Sequence, residues 1–440
     1  MVWILDIIYC IGLLAAGPFL LIKSRRTGKY RTDWRGRLGR LSPEVESLLR
    51  SSSDRPRVLI HCVSVGELLS TGKLVEELLR INEQLIIVIS TTTDTGMARA
   101  LALYPPRPGA RVAAVRYPLD FSFAVRRFLA AIKPTVIALV ELETWPNFLA
   151  CADQREIPVH IINGRMTERS FRRYSIIRPL MRRMFLRMRG IGVQTPEIAH
   201  RFATLGAPME RMEVIATMKY DSADFADQLP GAAALAAALG VGPTHRLFVA
   251  GSTGPGEQDV LLAAYGKLKD KWPDLRLAIA PRKPEVIAEV IAAIGSAGFE
   301  PILRTDHRDG ARSAPITSSQ VIVLDTMGEL KKLYSLAFAV FSGRSLVNLG
   351  GSDMIEAAAL GKPCCFGPYT FNFSDVVALL IAGGGGAVIK NADDIEALLN
   401  TWLSHPEQAA AMGQKARACL ESQRGSSRRY AQMIIKYISR

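Results

Sequence analysis

The sequence predicts an α/β protein of two parallel-sheet domains, and three observations carry that reading. At 440 residues and 49% hydrophobic content, the chain is too long for one small domain and apolar enough for two cores. Short β-rich apolar runs alternate with helix-periodic stretches, the pattern of parallel sheets covered on both faces. The alternation loosens once, in KYDSADFADQLPGAAALAAALGVGPTH at 219–245, and then restarts. That segment reads as a junction, so a cleft between two domains is expected, with ligands at the carboxyl ends of the strands.

The chain opens on MVWILDIIYCIGLLAAGPFLLI, 22 residues with one charge, Asp6. That is long enough to span a bilayer core as a helix. Basic residues follow it, where a cleaved leader would have them in front. A signal-anchor helix at 1–22 is therefore expected, with the body on the cytoplasmic side; the alternative, for which Asp6 and Pro18 argue, is a helix lying in the interface. A basic juxtamembrane segment at 23–44 comes next, then an N-terminal domain at 45–225. Its strands are expected at Val58–Val63, Leu85–Ser90, Val112–Val115, Val136–Val140, Val159–Ile162, Ile191–Gln194 and Met212–Ile215. Helices lie between them, among them Leu68–Leu79 and Phe123–Ile132. A second domain, 226–425, places strands at Arg246–Ala250, Leu275–Ala280, Val321–Leu324, Phe338–Phe341, Pro363–Phe366 and Ala387–Ile389. A C-terminal helix at 426–440 closes the chain.

The net charge of +14 is concentrated: Lys23–Arg40 carries +7 and Arg165–Arg189 carries +8, which leaves the rest at −1. A nearly neutral body with two basic patches argues for anionic lipid over nucleic acid. Of the six cysteines no two form a CxxC pair, and the six histidines show no metal-ligand spacing. This reads as a reduced protein without a bound metal.

The motifs fall just after strands. Ser64-Val65-Gly66-Glu67 matches an S-x-x-E capping box, with Glu67 reaching back to the Ser64 N–H. VELETWPNF sets Glu141 and Glu143 on one side of an extended chain. GRMTERSFRRYSIIRPLMRRMFLRMR reads as a basic amphipathic helix for a membrane surface or anionic lipid. VAGSTGPGEQDV is a strand, a turn of small residues and a helix start, suited to an anion or to an ordinary βα loop. In LAIAPRKPE, Pro281 and Pro284 stiffen a loop that carries Arg282, suited to phosphate. FSGRSLVNLGGSDMIEAAALGKP is a glycine-rich loop into a short helix from about Ser352, with Glu356 placed to accept from ribose hydroxyls.

Together these segments, with STTTDTG, YPLDF, VQTPE, MKYD, LDTMGELKKLY and FGPYTFNF, resemble the 3-deoxy-D-manno-octulosonic acid (Kdo) transferases of lipopolysaccharide biosynthesis. The ordered set runs from His61 to Phe373. The resemblance implies the GT-B architecture of two Rossmann-like domains with an N-terminal membrane anchor. It implies transfer from CMP-Kdo to the lipid A precursor, lipid IVA, with inversion, no metal and no cofactor. Partners would be CMP-Kdo, the lipid A precursor and anionic lipids of the inner membrane, with no nucleic acid. Carried over by position, the catalytic group is Glu67 as base, with Glu141, Glu143 and Lys219. Donor contacts fall on Pro281, Arg282, Met327, Gly328, Glu329, Ser345, Asp353, Met354, Ile355 and Glu356. Acceptor contacts fall on Ser64, Gly66, Arg165, Arg172 and Arg173. The chain departs from the family at Ser352-Asp353, where His-Asn is common, at Arg344, where Gly is usual, and at Gly254, where His is common. Asp353 sets a carboxylate near a phosphate, and Arg344 compensates in charge. The rival readings are a GT-B transferase with another membrane lipid acceptor and a non-catalytic basic protein of the membrane surface.

Overall fold

The computed structural model describes residues 5–12, 14, 17, 33–307, 310 and 312–438. The chain divides into two compact units, Met1–Ser222 with Arg424–Arg440, and Ala223–Gln423.

The first unit is a seven-stranded sheet of β1 (Arg57–Cys62), β2 (Ile86–Thr91), β3 (Val112–Arg116), β4 (Val136–Val140), β5 (Val159–Gly164), β6 (Met188–Val193) and β7 (Met212–Val214). All neighbours pair in parallel, in the order β3-β2-β1-β4-β5-β6-β7. Strands β1, β2, β4 and β5 are buried at every position, which explains apolar runs without alternation. The order reverses between β1 and β4, so the loops after these two strands flank the switch point. The C-terminal helix Ser426–Ile435 belongs to this unit. Asp221 caps it, accepting from the Gly425 N–H at 2.7 Å, the Ser427 N–H at 2.6 Å and the Ser426 hydroxyl at 2.7 Å.

The second unit repeats the plan with β8 (Arg246–Thr253), β9 (Leu275–Pro281), β10 (Glu300–Leu303), β11 (Gln320–Val323), β12 (Ala339–Ser342), β13 (Cys364–Phe366) and β14 (Gly386–Val388). Their order is β10-β11-β9-β8-β12-β13-β14, again parallel throughout, with the reversal between β8 and β12.

Four expectations need correction. The edge strand β10 has no counterpart in the sequence reading, because Glu300 and Pro301 mask it; proline is tolerated at an edge where its missing N–H leaves no ladder bond unmade. The expected helix Leu68–Leu79 is two helices, Val65–Ser70 and Gly72–Ile81, parted at Thr71, whose hydroxyl donates to the Leu68 carbonyl at 2.7 Å. The single basic helix is also two, Glu168–Ile176 and Arg178–Phe185, because Pro179 suits a helix start and not an interior. The helix placed near Ser352 begins at Ile355.

No helix among the described residues is long and apolar enough to cross a membrane. Much of the expected anchor 1–22, and residues 23–32 of the basic segment, lie outside the described residues. The rest of that basic segment is partly structural: the Arg37 guanidinium donates to the Thr92 and Tyr117 carbonyls.

One buried carboxylate organises the second unit. Glu257, fully buried at the start of the helix Glu257–Leu268, accepts four backbone N–H bonds. Its Oε2 takes Gly254 at 2.8 Å and Arg344 at 2.6 Å, and its Oε1 takes Ser345 at 2.8 Å and Leu346 at 2.9 Å. It thereby ties the loop after β8 to the loop after β12. In Glu257→Gln the amide NH₂ would face N–H donors, leaving buried donors unmet at about 1–3 kcal/mol each. Chemical unfolding followed in the second unit should show a loss of at least about 2 kcal/mol; no measurable loss would contradict this role.

Candidate active site

In the first unit, β1 ends at Cys62 and the chain turns at Ser64, which is extended and caps the helix Val65–Ser70. The Ser64 hydroxyl accepts from the Glu67 N–H at 3.3 Å and donates to Glu67 Oε1 at 2.8 Å. Glu67 Oε2 accepts from the N–H of Val63 at 2.7 Å, and the Ser64 N–H that a capping box predicts also stabilises the carboxylate. The capping box therefore forms, with the Val63 N–H added to it. Of the roughly four lone-pair sites of a carboxylate, this set of bonds leaves capacity for a substrate proton. Burial raises the Glu67 pKa above the ordinary carboxylate value; the Val63 bond opposes this and the Glu141 charge adds to it. Beside it Gly66 is open: an added Cβ would meet nothing nearer than Ser64 Oγ at 3.9 Å.

The other two carboxylates come from the loop after β4. Glu141 is in the left-handed region at φ 61°, so Glu141 and Glu143 do not sit on a stretch of extended chain as expected. The strand has to turn at once, and the Glu141 N–H still donates to the Ile162 carbonyl of β5 at 2.9 Å. A non-glycine residue held there costs about 1–3 kcal/mol, and such strain gathers at functional sites. Glu143 accepts from the Trp145 indole N–H at 3.1 Å. Burial first, then the charges of Glu67 and Glu141, push its pKa up to about 7. The charge of Glu141 thus acts on Glu67, and the charges of Glu67 and Glu141 act on Glu143.

Two residues that no motif singled out hold this loop and the segment of Lys219. Asp120, in the quoted YPLDF, accepts from the Asn147 N–H at 3.0 Å and the Phe148 N–H at 2.7 Å, capping the helix Pro146–Asp153. Burial pushes its pKa up to about 6. Asn163, at φ 53°, accepts from the Met218 N–H at 3.2 Å and so fixes the segment that carries Lys219. Asp221 pins the far end of that segment to the C-terminal helix. Lys219 itself is half-buried, with its N–H on Thr217 Oγ1 at 3.4 Å.

Of the basic residues, Arg165 is half-buried ahead of the helix Glu168–Ile176, which has no buried residue. Arg172 and Arg173 are exposed on that helix, and Arg172 pairs with Glu168 at 3.1 Å. At the break between the two helices Ile176 is 82% exposed, so an aliphatic side chain stands in solvent among arginines.

In the second unit, Arg282 follows Pro281 at the end of β9 and its N–H donates to the Thr253 carbonyl at 3.1 Å. Met327 is exposed beside Gly328, at φ 86°, and Glu329 accepts from Arg304 at 3.1 Å. Ser345 is buried, its hydroxyl donating to the Ser342 carbonyl and accepting from the Gly367 N–H at 2.8 Å, so it shapes the loop from inside. Asp353 accepts from the Ile355 N–H at 3.0 Å at the start of the short helix, with Met354 and Ile355 buried behind it. Glu356 is pushed up to about 7 by burial and by Asp353, against the pull of Lys331 and Arg282. Lys331 stands 3.8 Å from it. The departures at Gly254 and Arg344 fit one another. A Cβ at Gly254 would come within 3.3 Å of Arg344 Cγ, and closer still to Leu349 and Val347. Glycine at 254 therefore makes room for the arginine stem, whose own φ is 59°. Among the described residues no group of three His, Cys, Asp or Glu could hold a metal ion.

Known proteins resemble this chain in sequence and in fold. Residues 32–222 match the family model described as 3-deoxy-D-manno-octulosonic-acid transferase (kdotransferase). A 3-deoxy-D-manno-octulosonic acid transferase of Haemophilus influenzae is 30% identical over 384 residues, 87% of each chain. One of Bordetella pertussis is 30% identical over 436 residues, 96% of this chain and 97% of that protein. Among solved structures, a glycosyltransferase from Rickettsia africae has a TM-score of 0.59 at 10% identity, covering 87% of this chain and 99% of that one. A UDP-GlcNAc 2-epimerase from Neisseria meningitidis, bound to UDP-GlcNAc, gives 0.57 at 14% identity with the same coverage. These two likenesses concern the fold alone, a GT-B-like pair of parallel-sheet domains. With its motifs in order and relatives aligned along nearly its whole length, the chain belongs to the 3-deoxy-D-manno-octulosonic acid transferase family and is a glycosyltransferase of lipopolysaccharide biosynthesis.

Proposed function

We propose that this enzyme transfers Kdo from CMP-Kdo to lipid IVA, the lipid A precursor, with Glu67 as general base. One observation carries the assignment: Glu67 is half-buried at the strand switch, its pKa is raised, and its oxygens are only partly satisfied. Glu257 follows the first strand of the second unit in the same way, yet takes four backbone N–H bonds and has no role but structure. In the proposed step a primary hydroxyl of the acceptor gives its proton to Glu67 as its oxygen attacks the anomeric carbon of Kdo. The bond from that carbon to the CMP phosphate oxygen breaks with inversion. Lys219 and Arg282 are the cations that ease departure of CMP, and Glu356 holds the ribose. No cofactor enters this reading. The arginines of 165–189 face the phosphates of the acceptor or anionic lipid at the cytoplasmic surface of the inner membrane.

Glu67→Gln separates base from cap. Glutamine still accepts from the Val63 N–H and still meets the Ser64 hydroxyl, so the helix start survives. Losing a general base lowers the rate roughly 10²- to 10⁴-fold. The variant should melt within a few degrees of the parent, bind CMP, and transfer almost no Kdo. Transfer above about a tenth of the parental rate, less than the usual general-base contribution, would make Glu67 a cap alone.

The pH dependence has a definite sign. A base must be ionised, so transfer falls as pH drops through the raised Glu67 pKa. The Glu141 charge contributes to that rise. Glu141→Gln should therefore move the acid limb of kcat/KM to lower pH; an unmoved limb, or one moved upward, would contradict the coupling.

Replacing Arg172 and Arg173 together with Gln should raise the acceptor KM and reduce the salt dependence of binding to anionic vesicles, since each basic residue near such a surface contributes about 1 kcal/mol. Unchanged values of both would remove these residues from the acceptor side.

A further inference from the structure

The N-terminal apolar stretch contains Asp6 and Tyr9, and both are spent on the protein. Residues 5–12 are helical. Asp6 and Tyr9, three apart, lie on one face of that helix. Asp6 Oδ1 accepts from the Ser122 N–H at 2.9 Å and from Asn147 Nδ2 at 2.9 Å, while Oδ2 accepts from the Ser122 hydroxyl at 2.5 Å. Tyr9 donates its phenolic proton to Asp120 at 3.0 Å and sets its ring edge-on to Phe121, centroids 5.7 Å apart. The opposite face carries Ile7, Ile8, Ile11 and Leu14, each between 54% and 78% exposed. This helix is inverted relative to an ordinary surface helix, whose polar residues face water and whose aliphatic residues face the core.

The helix grips the carboxylate loop. Asp120 caps the helix that begins at Pro146, and Asn147 is the last residue of the Trp-Pro-Asn beyond Glu143. Asp6 bonds Asn147 directly, and Tyr9 bonds the Asp120 carboxylate that holds Asn147 and Phe148. Asp6 also fills the helix start at Ser122, supplying the side-chain acceptor that this helix lacks at its own N-cap, Phe121. A charge in the middle of an apolar stretch is costly unless paired, so the partners explain why a carboxylate is tolerated there.

Resting on the transferase reading above, we propose that Asp6 is a positioning residue. Its bonds to Ser122 and Asn147 lock the lipid-facing N-terminal helix to the loop of Glu141 and Glu143, so that the bilayer sets the height at which the acceptor's hydroxyl meets the carboxylates. The aliphatic face lies in lipid, and the polar face carries that placement into the site.

The test uses the full-length protein in phosphatidylethanolamine–phosphatidylglycerol vesicles, with CMP-Kdo as donor. The acceptor, a phosphorylated, acylated glucosamine disaccharide, is presented either in the vesicles or dispersed in detergent. Asp6→Ala should raise the acceptor KM in vesicles while the KM for CMP-Kdo stays put. The ratio of kcat/KM in vesicles to that in detergent should fall about tenfold, the effect of about 1.4 kcal/mol. Asp6→Asn, which keeps an acceptor for the Ser122 N–H, should recover part of the loss. An equal loss in both presentations, or none in vesicles, would overturn the proposal. Amide hydrogen exchange separates this from the reading it rests on. In Asp6→Ala the Ser122 amide should exchange at least about tenfold faster than in the parent, whether or not Kdo is transferred. Unchanged exchange at Ser122 would refute the lock even in an active enzyme. A parent that exchanges as described but transfers no Kdo would refute the function and leave the lock standing.

Discussion

Parallel strands that end together leave a row of loops whose backbone N–H groups must be met, and here buried and half-buried carboxylates meet them. Glu257 takes four such groups, Asp120 takes two, Asp221 takes two, and Glu67 takes those of Val63 and Ser64. Each is placed where a strand gives way to a helix or where a helix starts. The desolvation of an ion is offset only when its oxygens are filled, so the number of donors decides what each carboxylate can do. Where the oxygens are full, the group is structural. Where they are not, the group keeps capacity for a proton or a substrate hydroxyl.

The two units state this contrast on nearly the same local sequence. Ser-Val-Gly-Glu follows β1, and Gly-Pro-Gly-Glu follows β8. In the second unit the loops after β8 and β12 close around Glu257 completely. In the first unit the loop after β4 brings Glu141 and Glu143 toward Glu67 in place of further N–H donors, and burial first, then neighbouring negative charge, raises the Glu67 and Glu143 pKa values. The left-handed backbone of Glu141 belongs to the same design, since the strand must turn sharply to bring its carboxylate to the switch point. The donor side obeys the same logic, with Glu356 raised to about 7 by burial and Asp353.

The alternation of apolar runs and helical periods made both sheets legible, because fully buried parallel strands are apolar at every position and glycine or proline punctuates the loops at their ends. The capping box at Ser64 was legible for the same local reason. Other features depended on partners distant in sequence. Asp120 reads as an ordinary loop acid until Asn147 and Phe148 are brought to it, and Glu257 as a helix-start acid until the loop after β12 closes on it. Asp6 reads as a flaw in an apolar stretch until Ser122 is beside it. The strand at Glu300–Leu303 is invisible because an edge position tolerates proline and charge. The break at Ile177 was legible from Pro179 but was outweighed by the continuous basic and apolar pattern.

The central claim is that the fold leaves the Glu67 carboxylate incompletely neutralised and therefore basic. The most direct measurement is the titration of that one side chain by ¹³C NMR, in full-length protein labelled at glutamate carboxyl carbons and assigned by comparison with Glu67→Gln. The account predicts a midpoint clearly above the ordinary glutamate value of about 4.3. A midpoint at or below that value would mean that the cap bonds from Val63 and Ser64 satisfy the carboxylate, and would contradict its role as the base.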